Sequence, residues 1–264
     1  MKILNQSLEL KKFFKTVSKA ANRVLIVDYD GTMAPFRVER DKAIPYPGVI
    51  ETLESTLRDD NCRLVLITGR GENDLIPLIG LEPLPEIWGC HGWERMMPDG
   101  TYSSPGIKSP AASDLGEAHT YAKKMGLAHL CERKTACLAI HWRGLEPKTI
   151  EEIKSKVEKK WKSIADGKKL TLHEFNGGIE LRPQGRDKGY AVNAIIEQSD
   201  GGTAAAYLGD DFTDEDAFRA IHGKGLSVLV NPELRPTRAD LWLIPPEELV
   251  AFLHRWNAAC RGEI

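Results

Sequence analysis

The chain of 264 residues carries a formal net charge of −2, with 42% hydrophobic and 28% charged residues. This composition is typical of a globular protein, and no block of Lys or Arg indicates a nucleic-acid or anionic-membrane surface. The five cysteines are scattered and form no CxxC pair, which argues against a zinc site or a disulfide framework and favours free thiols in a reducing compartment. We therefore expect a cytoplasmic protein with no nucleic-acid or membrane partner.

The N-terminal segment 1–22 predicts an amphipathic helix that covers the core. Charged residues interrupt its apolar ones throughout, so it lacks the continuous apolar stretch of a signal peptide. No run elsewhere in the sequence approaches the length of a membrane span. The segment contains no functional motif, and we assign it no function.

From residue 23 onwards, buried strands alternate with amphipathic helices, and this rhythm returns near residue 188. The strand-like runs of this pattern are RVLIVDYD (23–30), RLVLITGR (63–70), EIWGCHG (86–92), AAAYLGD (204–210) and GLSVLV (225–230). Continuous apolar strands separated by helices indicate a parallel sheet covered on both faces. We predict an α/β fold with a Rossmann-like parallel-sheet core.

Between the two halves of this pattern the strands alternate in polarity and the helices are highly charged. KTACLAIHWR (134–143) is the clearest alternating strand, and such a mixture fits a small open α+β unit. We therefore predict a core domain formed by 1–105 and 181–264. An inserted, mobile α+β cap domain is predicted at 106–180.

Polar residues follow the strongest strands where each of them ends. Asp28 and Asp30 end the first strand, Thr68 follows the second, and Asp210 follows a later one. Ligands of open parallel sheets bind at the carboxyl ends of the strands, so we expect these side chains to meet. Lys188, at the start of a predicted helix, is expected to bring a positive charge to the same place.

A cluster of carboxylates of this kind needs a cation to offset its repulsion, and an oxygen-rich site suits Mg²⁺. Because Mg²⁺ binds few protein carboxylates and also takes phosphate oxygens, the cluster predicts phosphoryl chemistry. An aspartate can be the nucleophile and form an aspartyl-phosphate, while a second carboxylic acid protonates the leaving alcohol and then activates water. Asp28 and Asp30 provide one candidate for each role.

These residues belong to four short motifs, namely Asp28-Tyr29-Asp30-Gly31-Thr32, Thr68-Gly69-Arg70, Lys188 and Gly209-Asp210-Asp211-x-Thr213-Asp214. In this order they resemble the motifs of haloacid dehalogenase-type phosphatases. Further elements resemble the trehalose-6-phosphate phosphatases within that superfamily, namely GCHGWER (89–95), ERK…HWR (132–143), GGIELRPQGRDKG (177–189) and GDDFTDEDAF (209–218). The resemblance extends from about residue 23 to residue 245.

The resemblance implies a role for each matching position. Asp28 would be the nucleophile and Asp30 the general acid and base, while Thr68 and Lys188 would bind the transferring phosphoryl group. Mg²⁺ would be held by Asp28, the backbone carbonyl of Asp30 and Asp210, with Asp214 supporting the metal site. The expected substrate-binding residues are Gly69, Arg70, His91, Glu94, Glu132, Lys134, His141, Arg143 and Glu180. For His91 and Glu94 a turn after a strand is an equally good interpretation.

The residues of the predicted cap raise a question of strand parity. Glu132 and Lys134 have the opposite parity to His141 and Arg143. Alternate residues of a strand point to opposite faces. One uninterrupted strand therefore cannot direct all four side chains into one pocket, so a bulge or a strand start must intervene, or one pair does not bind the substrate.

The resemblance implies Mg²⁺-dependent hydrolysis of trehalose 6-phosphate to trehalose and phosphate through an aspartyl-phosphate intermediate. One alternative is a phosphatase of another sugar phosphate, such as the phosphate of sucrose, mannosylglycerate or glucosylglycerol. Another is a non-catalytic sugar-phosphate sensor, although every acid that the chemistry needs is present. The expected partner is a small sugar phosphate. Because no glycosyltransferase domain is attached, any trehalose-6-phosphate synthase would be a separate chain.

Overall fold

The computed structural model describes residues 1–166, 169–199 and 201–263, and it divides into two compact units. The core unit consists of Met1–Ser103 with Asp187–Ile264, and the inserted unit is Ser104–Arg186. Among the helices of the described residues, none combines the length and the apolar character that a membrane span requires.

The core unit contains one sheet of nine strands. In chain order these strands are β1 (Lys2–Ile3), β2 (Arg23–Asp28), β3 (Cys62–Ile67), β4 (Glu86–Gly89), β5 (Glu94–Met96), β6 (Tyr102–Ser103), β11 (Ala204–Gly209), β12 (Leu226–Val230) and β13 (Leu241–Leu243). The strands numbered between β6 and β11 belong to the inserted unit and are β7 (Cys131–Arg133), β8 (Leu138–His141), β9 (Leu170–Phe175) and β10 (Gly178–Pro183). The strand order is β1-β13-β12-β11-β2-β3-β4-β5-β6, and pairing is parallel from β13 to β4. The prediction of a parallel-sheet α/β core is confirmed.

Helices cover both faces of this sheet. The helices of the chain are α1 (Leu10–Lys19), α2 (Val49–Leu57), α3 (Glu72–Ile79), α4 (Ser109–Lys124), α5 (Pro147–Ala165), α6 (Lys188–Glu197), α7 (Glu215–Ile221) and α8 (Glu247–Cys260). Apolar residues of α1, α2, α3 and α8 form one cluster with the sheet, and those of α6 and α7 form a second. The predicted N-terminal helix over 1–22 is confirmed only for Leu10–Lys19 (α1), whose Leu10, Phe14 and Val17 are buried, whereas Lys2–Ile3 forms β1 and pairs with β13.

Strand β2 shows why the sheet needs helices on both sides. Its apolar residues alternate between the two clusters, with Leu25 and Val27 in the first and Val24 and Ile26 in the second. A strand buried on both faces requires a continuous apolar run. The charged residue that ends this run, Asp28, therefore lies at the carboxyl edge of the sheet.

The inserted unit has its own sheet and its own apolar cluster. The four strands run in the antiparallel order β7-β8-β10-β9, and α4 and α5 contribute apolar residues to a cluster on this sheet. Leu138, Ile140 and Trp142 belong to that cluster, as their alternation predicts. Strand β10 pairs along its whole length with β9, so the inserted unit extends beyond the predicted boundary at 180.

Candidate active site

The strand register brings three predicted site residues to one edge of the core sheet. Strand β2 lies between β11 and β3, with Val27 opposite Leu208 and Asp28 opposite Ile67. Asp28 therefore lies beside the residues that follow β3 and β11, which are Thr68 and Asp210. This is the meeting point that strand ends in a parallel sheet predict.

A buried lysine joins two of the carboxylates at this edge. Lys188, the first residue of α6, places Nζ 2.7 Å from Asp28 Oδ1 and 2.7 Å from Asp214 Oδ1. All three side chains are at most 4% exposed. The lysine neutralises part of the negative charge of the two carboxylates, and an ammonium group can bind phosphoryl oxygens.

Asp214 is held by hydrogen-bond donors on both of its carboxylate oxygens. The Tyr207 hydroxyl donates to Oδ1, beside Lys188. The backbone N–H groups of Asp210 and Asp211 donate to Oδ2 at 3.0 and 2.9 Å. This arrangement fits the predicted supporting role, since these bonds fix the Asp210–Asp211 backbone.

Asp210 is in the opposite situation. It is 2% exposed, and its Oδ1 has no hydrogen-bond partner among the residues that the structure describes. One carboxylate oxygen each from Asp28, Asp210 and Asp214 lie within 4.8 Å of one another. Oxygen donors grouped in this way can bind a divalent cation.

The pKa values of the three carboxyl groups of this cluster are shifted in different directions. Burial raises the pKa of Asp28 to about 7, although Lys188 opposes the shift. Burial, and then repulsion by Asp28 and Asp214, raises the pKa of Asp210 well above its usual range. Burial also acts on Asp214, but Lys188 and the Tyr207 hydrogen bond outweigh it and lower the pKa of that carboxyl.

Gly31 is required at the turn that follows Asp28 and Asp30. Its φ is +85°, and a Cβ at this position would lie 2.1 Å from Asp210 Oδ2. A larger residue would therefore be strained and would displace Asp210. Its neighbour Thr32 donates a hydrogen bond of 3.3 Å to Asp28 Oδ2.

Asp30 is bound by the predicted substrate residue Arg70. The guanidinium donates from Nε and Nη2 to the two carboxylate oxygens at 2.7 and 2.6 Å, and Nη2 also donates to the backbone carbonyl of Arg40. Arg70 is 4% exposed and Asp30 28% exposed at the side chain. Such a bidentate pair fixes the orientation of a carboxylate, and this geometry favours a positioning role for Arg70.

Thr68 and Gly69 lie close to the backbone after β4. The Thr68 hydroxyl accepts a hydrogen bond of 3.1 Å from the backbone N–H of Arg70. A Cβ on Gly69 would lie 2.7 Å from Cε1 of His91, so glycine is needed here to admit the imidazole. His91 is itself buried and has a positive φ of 55°, which fits a tight turn at this position.

Glu94 contacts the start of α3. Its Oε2 accepts a hydrogen bond of 3.3 Å from the backbone N–H of Glu72, the first residue of that helix, and Glu94 is 3% exposed. Burial, followed by the hydrogen bond with Glu94, raises the pKa of Glu72 to about 7. These contacts give Glu94 a role at the helix end.

Arg235 and Tyr207 contact the segment around Asp210, although the sequence does not indicate a role for either residue. Arg235 donates to the backbone carbonyls of Asp210 and Asp211 and to the carboxylate of Glu215. Both residues lie outside any motif pattern, because Tyr207 is one apolar-looking residue of a buried strand and Arg235 belongs to a loop. Their signal is spatial, since both hold the loop that carries Asp210.

In the inserted unit, the parity question is answered by a hairpin. Glu132 lies on β7 and His141 on β8, and these strands are antiparallel with Glu132 opposite Ala139. The strand start that the parity argument requires is therefore present at Leu138. As a result, Glu132 Oε2 lies 2.6 Å from His141 Nε2.

Lys134 links the two acids of this cluster. Its Nζ lies 3.5 Å from Glu132 Oε2 and 3.0 Å from Glu180 Oε1. Glu180 Oε1 also accepts from the thiol of Cys137 at 3.1 Å. Arg143, in contrast, donates to the backbone carbonyl of Asn176. Glu132, Lys134, His141 and Glu180 thus form one connected cluster, the sugar cluster, named after the predicted role of its members.

A family model described as trehalose-phosphatase matches residues 26–239. Over 243 residues the chain is 31% identical to the trehalose-phosphate phosphatase of Mycobacterium marinum. The matched region covers 86% of this chain and 60% of that relative. The chain thus spans about three fifths of the length of this curated relative.

Two solved structures show the fold. The C-terminal domain of the C. albicans trehalose-6-phosphate phosphatase has a TM-score of 0.82 at 20% identity, over 98% of this chain and 99% of the other. A haloacid dehalogenase-like hydrolase from B. subtilis has a TM-score of 0.61 at 15% identity, over 88% and 99%. The chain therefore has the fold of haloacid dehalogenase-like phosphatases, as the motifs predict.

Proposed function

The chain belongs to the trehalose-phosphatase family, and we propose that it hydrolyses trehalose 6-phosphate to trehalose and phosphate through an aspartyl-phosphate. One observation carries this proposal above the others. Asp28 is buried at the carboxyl edge of the sheet with Lys188 Nζ 2.7 Å away, beside the unpartnered oxygen of Asp210. A nucleophile, a phosphate-binding cation and a metal-binding carboxylate are thereby adjacent.

The first half of the reaction transfers the phosphoryl group to Asp28. A carboxylate oxygen of Asp28 forms a bond to phosphorus while the bond from phosphorus to the sugar oxygen breaks, and the carboxylic acid of Asp30 gives its proton to that oxygen. Lys188 and Thr68 bind the phosphoryl oxygens, where charge is stabilised in the transition state.

The second half returns the enzyme to its starting state. Asp30, now a carboxylate, takes a proton from water, and the water oxygen attacks phosphorus. The bond from phosphorus to Asp28 breaks and releases phosphate. Because Arg70 contacts both oxygens of Asp30, protonation of Asp30 requires one of these hydrogen bonds to open. Arg70 then acts by orienting Asp30.

The carboxylate cluster fits Mg²⁺. The residues that would hold the ion are Asp28, the backbone carbonyl of Asp30 and Asp210, with Asp214 supporting them from behind. A bound Mg²⁺ would neutralise the carboxylates and the phosphate oxygens. The unpartnered Oδ1 of Asp210 supports this assignment, because a buried carboxylate oxygen without a donor is destabilising unless a cation is bound.

The sugar cluster and Arg143 are the groups proposed to select the sugar. Carboxylates accept hydrogen bonds from hydroxyl groups while Lys and Arg donate to them, so Glu132, Glu180 and Lys134 together suit a polyhydroxylated ligand. The predicted role of the inserted unit as a cap, and the predicted cytoplasmic location, are retained as parts of this proposal.

Phosphate release from a panel of sugar phosphates, with Mg²⁺ or with chelator, tests the proposal. We expect the wild type to hydrolyse trehalose 6-phosphate in Mg²⁺. Addition of chelator should abolish turnover, and so should the substitution Asp28→Asn. The panel includes sucrose, mannosylglycerate and glucosylglycerol phosphates. A strong preference for one of these three would contradict the substrate assignment but not the mechanism. If no sugar phosphate of the panel, including trehalose 6-phosphate, were hydrolysed, the proposed phosphatase activity would be contradicted.

A further inference from the structure

Arg182 is a buried cation, and two of its guanidinium nitrogens lack a hydrogen-bond partner within the described part of the chain. It lies on β10 and is 3% exposed, yet Nε and Nη2 have no hydrogen-bond partner among the residues that the structure describes. Arginine keeps its charge in proteins and carries only donors. Leaving such a donor buried and unpaired is destabilising, so a ligand that supplies acceptors would be bound favourably here.

The surroundings of Arg182 connect it to the sugar cluster. Its Nε lies 3.5 Å from Glu180 Oε2, which is an ion pair without a hydrogen bond. The other oxygen of Glu180 is engaged by Lys134 and Cys137 at 3.0 and 3.1 Å. Arg182 and Glu180 therefore present a donor and an acceptor side by side.

The charge balance of this region favours a neutral ligand over an anion. The carboxylates of Glu132 and Glu180 balance the cations of Lys134 and Arg182, and His141, 2.6 Å from Glu132, adds a positive charge only when it is protonated. With a neutral His141 these five residues have no excess positive charge with which to attract a phosphate dianion. A hydroxyl group, in contrast, both donates and accepts. Adjacent hydroxyls of a sugar can donate to Glu180 and accept from Arg182 at the same time.

We infer that the Arg182 guanidinium donates hydrogen bonds to a hydroxyl group of the sugar, beside the hydroxyl that Glu180 binds. This inference rests on the proposed function and adds a further specificity-determining residue to it. The ligand class is a neutral polyhydroxylated sugar, and the phosphoryl group is bound elsewhere, in the core unit.

Binding of trehalose, the neutral product, tests this residue without turnover. Isothermal titration calorimetry compares the full-length wild type with Arg182→Met, whose folding is checked by circular dichroism and thermal unfolding. We expect trehalose to bind at least about tenfold more weakly to the variant, because hydrogen bonds to a charged group are stronger than those between neutral groups. Equal affinities for trehalose would overturn the inference.

Two further variants keep the test decisive. Arg182→Lys retains the charge but not the planar fork, and it is measured in the same way if Arg182→Met does not fold; unchanged affinity in this variant would also overturn the inference. Arg133→Met is the matched control, since Arg133 is an exposed arginine of the same sheet, and it is expected to bind trehalose as the wild type does.

A direct contact is separated from mere orientation of Glu180 by adding Arg182→Met to Glu180→Gln. If Arg182 contacts the sugar, the second substitution weakens the affinity further. If it acts only through Glu180, the double variant equals the single one and the direct contact is excluded. Hydrolysis of trehalose 6-phosphate by the wild type is measured in parallel. Its absence contradicts the proposed function, whereas normal hydrolysis with an unaffected KM in Arg182→Met contradicts only this inference.

Discussion

At the scale of single residues, Asp28, Asp210 and Asp214 form a buried carboxylate group whose mutual repulsion a bound cation would relieve. Lys188 hydrogen-bonds to two of the three acids, and Asp210 faces both other carboxylates with an unpartnered oxygen. Functional sites often keep such repulsion because the ligand relieves it. The group should therefore be stabilised by removing a charge or by adding a cation.

Asp210→Asn tests this expectation. The substitution replaces a buried carboxyl group, whose pKa is raised by burial and by its neighbours, with a neutral amide. We therefore expect the variant to be more stable than the wild type in chelator, by roughly 0.5–2 kcal/mol. Mg²⁺ should stabilise the wild type and have little effect on the variant, which also loses activity. Thermal unfolding with chelator and with Mg²⁺ measures both effects.

The matched control for this experiment is Asp211→Asn. Asp211 is the next acid in the chain, and its side chain accepts a hydrogen bond from the backbone N–H of Phe212, a capping role that asparagine also fills. We expect this variant to retain the stabilisation by Mg²⁺. A loss of that stabilisation in Asp211→Asn, or its persistence in Asp210→Asn, would contradict the assignment of Asp210.

At the scale of elements, the first turn of α3 combines two acids with the end of a helix. Glu94 accepts from the backbone N–H of Glu72, as expected where a helix N-terminus attracts negative charge. A hydrogen bond between the side chains of Glu72 and Glu94, after burial, raises the pKa of Glu72. The helix that follows the Thr68–Arg70 segment is thus anchored by a residue from β5.

The raised pKa of Glu72 predicts a pH dependence of folding stability. The folded protein holds the proton of Glu72 more tightly than the unfolded chain, since its pKa rises from 4.5 to about 7. Its contribution to stability is therefore full below pH 4.5 and is lost as the pH rises through about 7. We expect the stability difference between wild type and Glu72→Gln to shift against the wild type across this window.

Urea unfolding at several pH values measures this difference. Glu247→Gln is the control, because Glu247 is an exposed acid in the first turn of α8. Its stability profile should run parallel to that of the wild type. A Glu72→Gln profile that also runs parallel would show that Glu72 does not titrate differently in the folded protein.

At the scale of the whole molecule, each unit has an apolar cluster of its own. The cluster of the inserted unit contains Leu138, Trp161 and Leu181, whereas the core unit is built on two clusters around its sheet. A domain with its own core can unfold by itself. The two units are therefore expected to differ in how a core substitution affects them.

Leu138→Ala tests this independence. Leu138 is fully buried in the cluster of the inserted unit, and its truncation should destabilise that unit by about 2–5 kcal/mol. Hydrogen exchange read by mass spectrometry should then rise within 104–186 and stay unchanged in the core unit. Leu208→Ala, a buried leucine of β11, should give the converse pattern, and equal increases in both units would contradict the prediction.

Much of the candidate site could be predicted because its residues follow strands of a parallel sheet. An apolar run such as Val24–Val27 reports burial on both faces, and the polar residue after it must then lie at the carboxyl edge. Asp28, Thr68 and Asp210 follow this rule, and Lys188 begins a helix as expected. Strand parity alone does not predict the hairpin that brings Glu132 to His141, because parity does not reveal where a strand is interrupted.

The sequence alone determined the fold class and the groups that carry the chemistry, since burial periodicity and short motifs are local properties of the chain. Only the tertiary structure decided which of these groups contact one another. Arg70 meets Asp30 across 40 positions of the chain, and Lys188 meets Asp28 across 160. Such pairs depend on strand order and register, which arise from packing of the whole unit. The same packing buries Arg182 with unused donors, and no local pattern in the sequence carries that information.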